Sequence, residues 1–221
     1  MSKESSRHGD ITTNTYIDPG AETKEAYEIS KKSRTLARSI IGNVNAEDRV
    51  RQRCSIAVGD FGMADLMRFS HDPIPAVLAA LNRNAPLVTD IRMVQTGIQK
   101  KGHTCEVLCA LDYGAGIARE RGITRSSAGF IALGKKLAGS VVVIGNAPSA
   151  LLSLCEMVRD GICPGAIIGV PVGFVNAAES KELLRTMDVP SISTEGTRGG
   201  TPVAVAAINE CITIFIEGSR G

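Results

Sequence analysis

Three short polar segments carry most of the chemistry open to this chain. Thr124-Arg125-Ser126, Asn146-Ala147-Pro148-Ser149 and Arg198-Gly199-Gly200-Thr201 each stand where an apolar pattern of helical period begins. The first turn of a helix leaves backbone N–H groups without intrahelical acceptors, and its dipole favours anions there. Asn146 with Pro148 reads as an N-cap and an early proline, with free N–H groups able to hold a carboxylate or a polar edge. Arg125 and Arg198 add guanidinium groups suited to clamping carboxylates. Taken singly, each segment reads as ordinary capping or a solvated arginine. Three together suggest a ligand bearing several carboxylates.

Other motifs fail on inspection. Gly129 to Lys136 imitates a phosphate-binding loop, but no Ser or Thr follows the lysine, and the segment reads as a helix preceding its strand. Gly114-Ala115-Gly116 lacks the third glycine of a dinucleotide fingerprint. There is no G-x-S-x-G elbow, and three histidines leave little material for a triad. His103, Cys105 and Cys109 would share one face of a strand, but a metal would need a fourth ligand, so buried core is the preferred reading.

Composition narrows the class. The 221 residues are 43% apolar and 22% charged with a net charge of +2, which suits one globular α/β domain. No basic stripe and no aromatic stacking platform exist, so nucleic acid is not expected as a partner. No apolar run approaches the ~18 residues of a membrane span, and the polar Met1–Asp10 lacks a signal-peptide core. Neither a membrane nor secretion is expected. Six cysteines inside apolar patterns suit buried thiols in a reducing, cytoplasmic setting. The unusual count is 23 glycines.

The elements that must position these groups alternate regularly. Residues 1–20 read as a polar arm, and 21–221 as a single domain. A helix is expected over 21–41, with Ala26, Ile29, Leu36, Ile40 and Ile41 available for one buried face, then a mixed segment to about Ser70. A helix follows at Pro75–Asn82, and the strand Pro86–Asp90 ends in a helix-capping aspartate. Strands are expected at Val107–Leu111, Val141–Ile144, Ala166–Val170 and Ser191–Thr194. Helices fall at 113–121, Thr124–Leu137, Ala147–Arg159, Ala177–Met187 and Thr201–Ile216. Short buried strands between helices imply a Rossmann-like three-layer α/β fold with a mostly parallel sheet flanked by helices. Ligands of such folds collect at the carboxyl ends of the strands, where Gly145, Gly169, Gly173, Gly196, Gly199 and Gly200 gather.

Together these segments resemble one family, the precorrin-8X and cobalt-precorrin-8 methylmutases of corrin-ring biosynthesis. The resemblance runs from Tyr16-Ile17-Asp18-Pro19 through Gly59-Asp60-Phe61, Phe69-Ser70, Ala85-Pro86, Asp90, Met93-Val94, Thr124-Arg125-Ser126 and Arg198-Gly199-Gly200. IGNAPSAL (144–151) followed by GVPVGFVNAAESK (169–181) is its most specific part. It implies a homodimer that binds a tetrapyrrole and moves a methyl group from C11 to C12 of the macrocycle, with no cofactor of its own. On this basis Arg53, Tyr27, Thr124, Arg125, Ser126, Asn146, Gly173, Arg198, Gly199 and Gly200 would face the substrate.

One departure stands out. The family pattern R-x-x-H-x-x-G, whose histidine is taken to protonate the ring, falls on Arg53-Cys54-Ser55-Ile56-Ala57-Val58-Gly59. Isoleucine cannot transfer a proton, so reduced activity is expected. The first helix also has Ala26-Tyr27 where the family often has a serine before its aromatic. The favoured reading is a methylmutase whose proton comes from His71, His103, a cysteine or water. The alternatives are a non-catalytic tetrapyrrole-binding paralogue, acting as a carrier or pathway partner, and an enzyme of altered chemistry on a related ring.

Overall fold

The computed structural model describes residues 23–219. The arm 1–20 and the segment Tyr16–Pro19 lie outside the described residues. Helix α1 (Lys24–Ile41) starts where the Thr23 hydroxyl accepts the Ala26 amide at 3.1 Å, and it stops at Gly42. Helix α2 (Ala46–Val58) begins with Asn45 accepting the Asp48 amide and ends in left-handed Gly59. The expected mixed segment thus contains α2, the short α3 (Gly62–Leu66) and strand β1 (Met67–Ser70).

Alternation then follows the expected order. It runs α4 (Pro73–Asn82), β2 (Leu87–Thr89), α5 (Arg92–Gly97), β3 (Val107–Cys109) and α6 (Ala115–Arg121). Next come α7 (Arg125–Leu133), β4 (Val141–Ile144), α8 (Pro148–Arg159), β5 (Ala166–Gly169), α9 (Ala177–Arg185), β6 (Ser191–Thr194) and α10 (Thr201–Gly218). The helix expected to reach Leu137 breaks at Gly134, whose φ of 51° ends α7, and a 3-10 turn completes the span.

The six strands form one sheet in the order β1-β6-β5-β4-β2-β3. All neighbours are parallel except the edge strand β1, which runs antiparallel to β6. Both faces are covered, and β4 shows how. Val141 and Val143 pack with Val50, Val77, Val203 and Ile208 of α2, α4 and α10, while Val142 and Ile144 pack with Phe130, Leu154 and Leu184 of α7, α8 and α9. Burial on both faces is why the strand is a continuous apolar run. Helix α10 is long and apolar enough to cross a membrane by length and composition, yet Val203, Ala207, Ile208, Cys211 and Ile212 place it in the core.

The first helix corrects its expected face. Ile29, Leu36 and Ile40 are each more than half exposed, and the buried positions are Arg34 and Ala37. What holds α1 is charge. The Arg34 guanidinium reaches Glu210 at 2.5 Å, and Arg49 of α2 reaches the other oxygen of the same carboxylate at 2.9 Å. Arg49 also pairs with Glu217 at 2.5 Å.

Candidate active site

The chain leaves β2 toward the edge strand β3 and returns on the other side of β2 to form β4. The topological switch point, where ligands of open α/β sheets bind, therefore lies between the carboxyl ends of β2 and β4. Asp90 occupies it. Its carboxylate accepts the amides of Gly145, Asn146 and Ala147 at 3.3, 2.8 and 2.9 Å. This corrects two expectations. Asp90 is not the N-cap of the helix that follows it, which is Ile91; the Ile91 amide also touches the Asp90 carboxylate, but its bonds at 2.8 and 2.9 Å go to the β4–α8 loop. The amides of Gly145, Asn146 and Ala147, in the loop that leads into α8, are not free for a ligand carboxylate, since Asp90 already supplies one from within. Burial pushes the Asp90 carboxyl up, against the pull of the same backbone amides. The N-cap of α8 is Ala147 rather than Asn146, whose exposed side chain is left at the rim.

The Asp90 anchor leads to a stability prediction. Asp90→Ala strands three amides, two of them on the buried residues Gly145 and Ala147, and is expected to cost about 3 kcal/mol. Urea denaturation checks it. An unchanged midpoint and slope would mean that water replaces the carboxylate at no cost.

At the start of α7, the Thr124 hydroxyl accepts the Ser127 amide at 3.3 Å and lies 2.9 Å from the Ser149 hydroxyl of α8. Exposed Arg125 donates to the Leu111 carbonyl at 2.9 Å, and Ser126 is buried. Arg92, which the sequence reading passed over, forms an ion pair with Asp112 on the same 110–112 turn. Two guanidinium groups thus converge on one corner of the sheet's carboxyl edge.

The opposite corner holds Arg198, half exposed and paired with Asp60, whose carboxyl the guanidinium holds below the usual range. Behind it the loop is pinned. The Gly200 amide donates to the Val170 carbonyl at 2.7 Å, and a Cβ on Gly199 would meet that carbonyl oxygen at 2.3 Å. Gly145 and Gly169 likewise abut side chains of α10 and of α8 and α9. At Gly145, Gly169 and Gly199 the missing Cβ serves close packing within the protein. Gly173 and Gly196 are the open ones, and the Gly173 amide donates to the Thr197 carbonyl at 3.1 Å.

Arg53 and Ile56 come together on α2 in a shallow groove of about 280 Å³, with Ala57 beside them and Pro202, Val205, Ala206 and Asn209 of α10 opposite. Pro202 stands at the start of α10, so the groove opens toward the same edge as Arg198. Tyr27 is half-buried on α1. The expected substitute proton donors lie elsewhere. His71 follows β1 and sits 3.5 Å from Asp188, just before β6, at the amino end of the parallel strands. His103 precedes β3, where its ring contacts the Gln99 carbonyl and the Cys105 amide. Only Cys109 of the His103, Cys105 and Cys109 set is on the strand, so the three do not share a strand face. All six cysteines are free thiols, and burial strongly raises the Cys54 pKa, so it holds its proton.

With this geometry in place, similarity to known proteins becomes specific. The model of the precorrin-8X methylmutase family matches residues 28–214, from the second turn of α1 to the last turns of α10. The chain belongs to the precorrin-8X methylmutase family. It is 38% identical over 203 residues to the cobalt-precorrin-8 methylmutase of Methanocaldococcus jannaschii, covering 87% of this chain and 96% of that one. It is 40% identical over 173 residues to the precorrin-8X methylmutase of Pseudomonas aeruginosa, covering 75% and 83%. The crystal structure of the Thermus thermophilus precorrin-8X methylmutase superposes with a TM-score of 0.80 at 34% identity, covering 87% and 97%. Every site residue described above except Tyr27 falls inside the region matched by the family model.

Proposed function

We propose that this chain is a precorrin-8X or cobalt-precorrin-8 methylmutase of corrin synthesis. It would bind a polycarboxylate tetrapyrrole at the carboxyl edge of the sheet and move a methyl group from C11 to C12 of the macrocycle. The observation that carries the reading is the family match over 28–214, together with the two arginine corners, Arg92 with Arg125 and Arg198 beside Asp60, that the fold places at that edge. In this reading, Arg125 and Arg198 exchange their internal acceptors for acetate or propionate groups of the ring. Thr124, Ser126, Asn146, Tyr27 and the 173 and 199–200 backbone shape the seat. Arg53 lies beside the reacting face, where Ile56 replaces the family's acid. The binding-only alternative shares the tetrapyrrole seat and lacks the methyl migration.

A homodimer and a cytoplasmic location complete the reading. Phe174 at 95% exposure, Val175 at 75% and Met93 at 69% stand bare along the carboxyl edge, where a second copy would cover them. One experiment addresses both ligand and assembly. Sedimentation with hydrogenobyrinic acid is expected to show its absorbance moving with a species of twice the chain mass. Ligand that stays out of the protein boundary sinks the binding reading, and a monomer boundary sinks the dimer.

A further inference from the structure

Lys181 of α9 is fully buried and takes no part in the chemistry described so far. Its ammonium donates to the Arg198 carbonyl at 2.7 Å and to the Thr194 hydroxyl at 3.1 Å. The Thr194 hydroxyl in turn donates to that same carbonyl at 2.7 Å. Among the described residues no carboxylate lies within ion-pair distance of Lys181. Ammonium groups are expensive to bury against neutral acceptors alone, and a methionine of similar length would fill the space more cheaply. Burial, with Arg185 nearby, pushes the amine down to about 8, which records that cost. A stabilising role therefore does not account for the lysine.

Its contacts indicate another. The β6–α10 loop is held from two sides at consecutive residues, with the Arg198 carbonyl on Lys181 and Thr194 and the Gly200 amide on Val170. Between them Gly199 has no room for a side chain. The backbone of Arg198 is fixed while its side chain stays half exposed, aimed at Asp60 and solvent. We infer that Lys181 is a positioning residue: its buried ammonium fixes the Arg198 carbonyl and so sets where the Arg198 guanidinium meets a ligand carboxylate. The inference rests on the proposed tetrapyrrole reading and names the group that orders one of its anion contacts. The ammonium also adds positive field beneath the loop, of the same sign as Arg198.

The test is a double-mutant cycle on hydrogenobyrinic acid affinity, with the melting temperature of every variant recorded. Arg198→Gln and Lys181→Met are each expected to weaken binding about tenfold, the return of one charge-assisted hydrogen bond. The double variant is expected to bind no more weakly than Arg198→Gln alone, because Lys181 acts through Arg198. Lys181→Met is expected to melt no lower than wild type, and in turnover its KM should rise more than its kcat falls. Thr194→Val, which removes the second donor to the same carbonyl, should weaken binding in the same non-additive way. This arm decides the matter if Lys181→Met does not fold. Wild-type affinity in Lys181→Met, or losses that add in the double variant, would overturn the inference and leave the ligand reading standing. Absence of binding by the wild type removes the ligand reading itself.

Discussion

Ile56→His is expected to raise the rate of methyl migration on precorrin-8 by about 10²–10⁴, the usual worth of a placed general acid. The structure leaves room for it. Ile56 is only half-buried and lines an open groove, so an imidazole there would replace a methyl-bearing chain without entering the core. Among the described residues, no histidine, cysteine or carboxylic acid lines the groove. His71 and His103 are at the far end of the sheet, and Cys54, next to Arg53 in the chain, is buried with its proton held tightly. The gained rate should fall as pH rises through the imidazole pKa, because the protonated form is the active one. That pKa should lie below ~6.5, since the Arg53 cation shares the groove and disfavours a second positive charge. Single-turnover assays of both forms check this. If wild type already turns over and Ile56→His is no faster, the missing acid is not what limits this protein.

The second large effect is on stability. Glu210 is 1% exposed and neutralises two arginines from two other helices, one of which, Arg34, is itself 4% exposed. Glu210→Ala removes the carboxylate that both guanidinium groups share and leaves buried Arg34 beside Arg49, which keeps Glu217, and is expected to cost about 3–5 kcal/mol. For a chain of this size that lowers the melting temperature by about 6–20 °C. The damage should concentrate on α1, because Ile29, Leu36 and Ile40 contribute little burial and Arg34 is one of its two buried residues. Tyr27 rides on that helix. Calorimetry with hydrogen exchange on α1 checks it, and a loss under 1 kcal/mol with α1 still protected would mean that the charge cluster does not hold the helix.

These two sites were unequally legible. Ile56 stood out from the sequence because a local pattern, Arg53 to Gly59, names each position by its distance from its neighbours. Glu210 did not, because its partner Arg34 is 176 residues away and nothing near either residue indicates pairing. The same division runs through the site. Thr124 is a cap by local rule, and its hydroxyl does bond the Ser127 amide. Asp90 obeys the local rule for a cap equally well, yet it bonds amides 55 to 57 residues on, because parallel pairing of β2 with β4 brings the loop after β4 against it. Glycines at strand ends were visible as a cluster, but whether a missing Cβ faces ligand or protein depends on what packs above it.

By itself the sequence determined the layered class and the family. Continuous apolar runs follow from burial on both sheet faces, and cap residues act within one turn. Tertiary structure alone decided that the amides of the loop before α8 are filled by Asp90, that a buried arginine–carboxylate pair rather than an apolar stripe ties α1 to α10, and that Lys181 lies buried beneath Arg198. Each of these is a bond between groups far apart in the chain. Its existence depends on strand register and helix packing, quantities that no local spacing of residues encodes.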